Sequence, residues 1–236
     1  MEEKNLKTIG IIGGMSWEST VPYYQIINRT IKAELGGFHS AKILLYSVDF
    51  AEIEHYQSTD QWDKSADVLA DVALRLQNAG ADFIVIATNT MHKVVPQIQQ
   101  RIRIPILHIA EVTAATLLAN KISKVGLLGT KYTLTQDFYK SKIIEAGIEV
   151  LVPNETDIEI VNDVIYNELC CGQISPVAKK KFLAIIDRFA ANGAQGVILG
   201  CTEIGMLIKQ EDTHLPVFDT TYLHARKAAL MSVCSD

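Results

Sequence analysis

What this 236-residue chain has little of narrows its function first. It has four cysteines, Cys170, Cys171, Cys201 and Cys234, too few and too irregularly spaced for a disulfide framework. No Cys-x-x-Cys pair suggests zinc. None of its six histidines stands four residues from another, so the usual helical metal pair is missing as well, and no metal is expected. Positive charge is short: 22 Lys and Arg against 27 Asp and Glu give a net charge of −5. That excludes the basic patch a nucleic-acid partner would need. No apolar run approaches the roughly 18 residues of a membrane helix. The opening "MEEKNLK" is charged where a signal peptide would be apolar. A soluble, cytoplasmic protein with no membrane partner is expected. What remains is ordinary globular composition, with 48% hydrophobic and 21% charged residues, enough for a buried core.

Short apolar runs alternate with amphipathic segments along the chain. "TIGIIGG" reads as a buried strand followed by a tight turn. In the next segment Tyr23, Ile26, Ile27, Thr30 and Ile31 can share one helical face. A strand over 41–50, a helix ending at Gly80, a strand "DFIVIAT", a short helix with Pro96 near its start and a strand "IPILHI" complete a first half. The pattern then restarts at "KVGLLGT". A helix ends at Gly147, "IEVLVP" is a strand, and a helix capped by Thr156 or Asp157 runs to Gly172. "SPVAKKK" opens another helix, "GVILGCT" and "LPVFD" are strands, and a helix closes the chain. Cys170 and Cys171 read as packing residues near a helix end. Lys179–Lys181 read as a solvated helix face.

Two stretches are close copies. "GADFIVIATNT" begins at Gly80 and "GAQGVILGCTE" at Gly193; aligned without gaps, Thr88 falls opposite Cys201, an offset of 113 residues (201 − 88). The strands at Ile9 and Val125 and the Pro-led strands at Pro105 and Pro216 correspond in the same order. The chain is therefore expected to be α/β, made of two duplicated, pseudo-symmetric domains with open parallel sheets. Residues 1–112 with 217–236 would form the first domain and 113–216 the second. In open parallel sheets the chemistry sits beyond the carboxyl ends of the strands. Facing domains would bring Gly13–Ser16, Thr88–Thr90, Gly129–Thr130 and Gly200–Glu203 to a common cleft suited to a small ligand. The glycines of "GIIGGMS" do not have the G-x-G-x-x-G spacing of a dinucleotide loop.

"GGMSWEST", "ATNTMHK", "LLGT" and "GCTEIG", in this order and spacing, resemble the aspartate/glutamate racemase family over essentially the whole chain. The resemblance implies racemisation of a free amino acid with no cofactor, in particular no pyridoxal phosphate. In that family two cysteines, one per domain, flank the α-carbon; one removes the α-proton and the other returns a proton to the opposite face. Here the second motif keeps its cysteine, Cys201, while the first has Thr88 where the family usually has cysteine. This is closest to a subgroup of broad Asp/Glu racemases that pair threonine with cysteine. L- and D-aspartate and L- and D-glutamate are the implied substrates and a homodimer the implied assembly. By the same resemblance Cys201 works on the L-enantiomer.

The unequal pair has unequal chemistry. A thiol ionises near pH ~8.5, and a nearby dipole or donor lowers that further. A threonine alcohol ionises far above physiological pH, so Thr88 suits proton donation better than proton removal. The alternative for Thr88 is a strand-end hydroxyl that only binds a carboxylate. Asn89, Thr90, Thr130 and Thr202, with the Met15 main chain, are candidates for the α-carboxylate, whose binding offsets the charge that makes the α-proton so weakly acidic. Resemblance favours Asn89, Thr90 and Thr202. Glu203 either holds the α-ammonium, supports Cys201, or sits as a carboxylate at a helix N-terminus. Gln57, placed in a loop after "VDFAEIEHY", would reach the side-chain carboxylate. Related aspartate racemases carry lysine where this chain has Cys170, which leaves room for glutamate. His92 reads as a helix-start residue or one that orients Thr88. Two rival readings stand beside the racemase: a single-cysteine decarboxylase or cis–trans isomerase of the same superfamily, and a non-catalytic amino-acid-binding protein.

Overall fold

The computed structural model describes residues 6–233. Residues 1–5, which carry most of the opening segment, and Cys234 lie outside that range. The chain runs β1 (Ile9–Gly13), α1 (Trp17–Leu35), β2 (Ile43–Ser47), α2 (Phe50–Ser58), α3 (Trp62–Asn78), β3 (Phe83–Ile86), α4 (Val95–Gln99) and β4 (Ile106–Leu107). It continues through α5 (Ile109–Ala119), β5 (Lys124–Gly129), α6 (Lys131–Thr135), α7 (Asp137–Glu145), β6 (Glu149–Leu151) and α8 (Glu155–Asn167). The last elements are α9 (Pro176–Ala191), β7 (Val197–Gly200), α10 (Ile204–Leu207), β8 (Val217–Asp219) and α11 (Thr220–Val233). Two four-stranded sheets result, ordered β2-β1-β3-β4 and β6-β5-β7-β8. Every pairing is parallel, as the strand–helix alternation requires.

The inner strands are apolar because both faces are covered: β1, β3 and β7 are buried along their whole length. Helix α1 buries Ser19, Thr20, Tyr23, Ile27 and Ile31, the four-residue spacing of a single face. Tyr23, Ile27 and Ile31 meet Ile9, Ile11, Phe83 and Val85 from the first sheet, with Ala225, Ala228 and Ala229 from α11. In the second sheet one face packs Val197 and Leu199 against Phe182, Ile185, Ile186 and Phe189 of α9. The other packs Val125, Leu127 and Ile198 against Tyr139 and Ile143 of α7. The chain divides into two compact units: the chain up to His108 together with the chain from His224, and Ile109–Leu223. The second division falls inside α11.

The duplication holds at the level of register. Gly10 pairs with Ile84 in the first sheet, and Gly126 with Val197 in the second. The same 113-residue offset that carries Thr88 onto Cys201 carries Ile84 onto Val197. The next strand repeats the relation, with Ile84 opposite Ile106 and Val197 opposite Val217.

Four sequence expectations are corrected. The strand expected over 41–50 stops at Ser47, because the Asp49 carboxylate accepts the Ala51 N–H and starts α2. Gln57 is therefore in the last turn of a helix, not in a loop. Helix α8 is capped by Asn154, whose side chain accepts the Asp157 N–H at 2.9 Å; Thr156 and Asp157 fall inside the first turn. Cys171 is exposed in a short 3-10 turn rather than packed, whereas Cys170 does pack against the core.

Candidate active site

In the first unit the turn after β1 is held by Thr20. Its hydroxyl accepts the Gly14 N–H and donates to the Ser16 carbonyl, each at 2.8 Å. Gly14 has φ +91°, and a Cβ there would lie 2.3 Å from the Val48 carbonyl oxygen, so only glycine fits. Met15 and Ser16 follow, both buried. Beside them, the Ala87 N–H bonds the Ile12 carbonyl, which carries the β1–β3 register one residue beyond β3. Thr88, Asn89 and Thr90 come next, all buried. Gln57 is also buried, in α2.

Behind Thr88 stands a histidine cluster of which the sequence suggested only His92. His92 lies in the 3-10 turn Thr90–Val94, and its Nδ1 is 2.8 Å from the Thr88 carbonyl. A carbonyl only accepts, so Nδ1 carries the proton. The His92 ring packs 4.7 Å from that of His108 and 5.7 Å from that of His224. His224 Nε2 donates to the Leu107 carbonyl at 2.8 Å, which leaves Nδ1 to accept the Tyr23 hydroxyl at 2.9 Å. Burial lowers the His92 pKa well below the usual imidazole range, with His108 and His224 adding to it. Burial likewise lowers that of His224 to about 4. Both rings are neutral at physiological pH. The sequence scatters these histidines, and only the strand order gathers them.

In the second unit β7 ends at Gly200, opposite Gly129 of β5. Cys201 is 8% exposed and Glu203 2%. The Cys201 thiol donates to Glu203 Oε2 at 2.9 Å, and the Thr202 hydroxyl donates to the same oxygen at 2.8 Å. Glu203 precedes α10 but makes no side-chain cap bond there. That contact is the one its reading as a support of Cys201 calls for. The first residues of α11 hold the end of β7: the Thr220 hydroxyl donates to the Leu199 carbonyl at 2.7 Å. Thr130, beyond β5, caps α6 by accepting the Thr133 N–H at 3.3 Å.

The thiol is not acidified. Burial pushes the Cys201 pKa well above its ordinary value, and the Glu203 carboxylate and Cys170 push it further up; the Glu203 main-chain N–H pulls the other way. That single donor is outweighed by burial first and then by the carboxylate 2.9 Å away. Tyr166 of α8, also missed from sequence, is a phenol raised by burial and by Cys201. Cys201 is thus a protonated thiol with a carboxylate placed to receive its proton.

The chain matches the Asp/Glu/hydantoin racemase family model over residues 12–228. It belongs to that family. A candidate Asp/Glu racemase from Yersinia pestis is 50% identical in sequence, with a TM-score of 0.90, over 97% of this chain and all of the other. An aspartate racemase homologue from Pyrococcus horikoshii is 36% identical, TM-score 0.83, over 96% and 99% of the two chains. The broad specificity amino-acid racemase RacX of Bacillus subtilis is 24% identical over 224 residues, 90% of this chain and 92% of RacX. The two-domain α/β fold is the one found in glutamate racemases of known structure. No helix among the described residues is long and apolar enough to cross a membrane.

Proposed function

We propose that this protein racemises an acidic amino acid, aspartate or glutamate, by two-base proton transfer without pyridoxal phosphate or any other cofactor. The observation that carries this reading is the buried Cys201–Glu203 pair, set at the end of β7 in a chain that belongs to a racemase family.

Glu203 takes the thiol proton, and the sulfur takes the α-proton of the substrate from one face. The Thr88 hydroxyl gives its proton to the α-carbon on the opposite face. Solvent then returns a proton to Thr88, Glu203 gives one up, and no net proton is consumed. The His92 donor bonded to the Thr88 main-chain carbonyl at 2.8 Å supports this role for Thr88. Asn89, Thr90, Thr130 and the Met15 main chain bind the α-carboxylate, and Gln57 binds the side-chain carboxylate. The protein is proposed to work as a homodimer in the cytoplasm.

Chiral chromatography after incubation with single enantiomers tests the reading. L-Asp or L-Glu should yield its D-form, and the Thr88→Ala variant should invert at least tenfold more slowly. Thr88→Ser should keep part of the rate. Inversion that survives Thr88→Ala undiminished would reduce Thr88 to a carboxylate ligand. Carbon dioxide release from a malonate, with no inversion, would favour the single-cysteine decarboxylase. Thermal stabilisation by an amino acid without turnover would favour a binding protein.

A further inference from the structure

We infer that Thr202 is a positioning residue for the Cys201–Glu203 pair and not a donor to the substrate carboxylate. A hydroxyl has one proton to give, and that of Thr202 goes to Glu203 Oε2 at 2.8 Å. The same oxygen accepts the Cys201 thiol at 2.9 Å. Thr202 is 5% exposed and Glu203 2%, so neither bond competes with bulk water, and charge-assisted bonds to a buried carboxylate are among the strong ones. Two donors converging on one oxygen hold the carboxylate against the sulfur. They also share its negative charge, so less of it opposes formation of the thiolate. What the Thr202 oxygen still offers a ligand is lone pairs, which suit the α-ammonium of an amino acid. The Thr202 carbonyl is itself held, by the Thr221 hydroxyl at 3.4 Å, so the peptide that joins the two side chains is fixed from behind.

The other ionisable groups acting on Cys201 are Cys170, from the 3-10 turn after α8, and Tyr166 of α8, which also faces Tyr132 of α6. None of them supplies a positive charge to replace the lost hydroxyl. Removing the Thr202 donor therefore leaves the thiol facing a barer and less firmly held carboxylate, which raises the cost of a thiolate beside that carboxylate while it stays ionised.

This inference rests on the racemase reading for its catalytic meaning, but its first test needs no substrate. Alkylation of Cys201 by iodoacetamide, followed by mass spectrometry of the peptide that contains it, is measured from pH 6 to 10. Thr202→Val should alkylate about three- to tenfold more slowly at pH 8 and show an upward-shifted midpoint; Thr202→Ser should restore both. Wild type, Thr202→Val and Thr202→Ser are then compared for α-proton exchange. Thr202→Val should lower kcat about tenfold and leave KM within about threefold, and serine should recover kcat. An unmoved alkylation profile overturns the inference. So does a raised KM at unchanged kcat, which would make Thr202 a substrate ligand. If no variant nor the parent exchanges any α-proton, the racemase reading fails, and the alkylation profiles still decide the role of Thr202.

Discussion

At Cys201 the residue-scale question is how a thiol held in its protonated form can act as a base. Burial and the Glu203 carboxylate both keep it neutral at rest. The same carboxylate accepts its proton, at 2.9 Å. Replacing Glu203 by Gln removes the opposing charge and the acceptor together. Cys201 in Glu203→Gln is expected to alkylate at lower pH than in the parent, while turnover falls at least tenfold. Turnover that rises with alkylation would show that the carboxylate only obstructs. Thr88 and Cys201 were legible in the sequence because each follows an apolar run within a repeated motif. The partner of Glu203 was not, since its side chain can cap a helix or fold back on Cys201, and burial decides which. His92, His108 and His224 were illegible as a group, because they meet only after β3, β4 and α11 are placed. The group has a pH consequence. The His224 pKa falls to about 4 on folding, against about 6.5 unfolded. The unfolded chain therefore binds more protons between these values. The contribution is complete above pH 6.5 and is lost as pH falls through 4, to the extent of about 3 kcal/mol. Urea unfolding at pH 7 and pH 4.5 should show this loss, and His224→Gln should flatten it.

Elements here end where particular side chains stop them. The turn from β1 into α1 depends on Gly14, where a Cβ would lie 2.3 Å from the Val48 carbonyl oxygen and 2.7 Å from the Ser47 hydroxyl. Both neighbours belong to the chain leaving β2, and one is backbone, so neither yields cheaply. Gly14→Ala is expected to cost about 2 kcal/mol or more in stability, from the positive φ and the clash together. A thermal midpoint unchanged within a degree would contradict that account. The alternation of strands and helices was legible because buried parallel strands are unbroken apolar runs. Boundaries were less so. In "NETD" three cap-forming residues lie within four positions, and the extended backbone at Asn154, not side-chain type, selects the cap. Asp49 likewise turns an apolar run into a helix two residues past the end of β2.

The molecule as a whole is a doubled unit in which the 113-residue offset found in the sequence carries β3 onto β7, and the flanking strands pair in the same order around each. That agreement explains why the repeat was visible: each copy must build the same four-stranded sheet, and the turn at its carboxyl edge inherits the same place. The sequence assigns the closing helix to the first unit; what it did not reveal is that the start of α11 also belongs to the second. Its first residues hold the end of β7, and Ala225, Ala228 and Ala229 complete the core beside β1 and β3. A chain cut after Leu223 should therefore lose the native fold of the first unit, seen as loss of amide-exchange protection in β1 and β3.

Cys201 and Thr88 are proposed to exchange and invert the α-proton of an acidic amino acid. Proton NMR in heavy water tests this most directly, with L-Asp, D-Asp, L-Glu and D-Glu supplied separately and no pyridoxal phosphate added. Loss of the α-proton signal with inversion is expected for at least one enantiomeric pair, and neither is expected in Cys201→Ala. Full exchange in Cys201→Ala, or none from any of the four in the parent protein, would contradict the proposal.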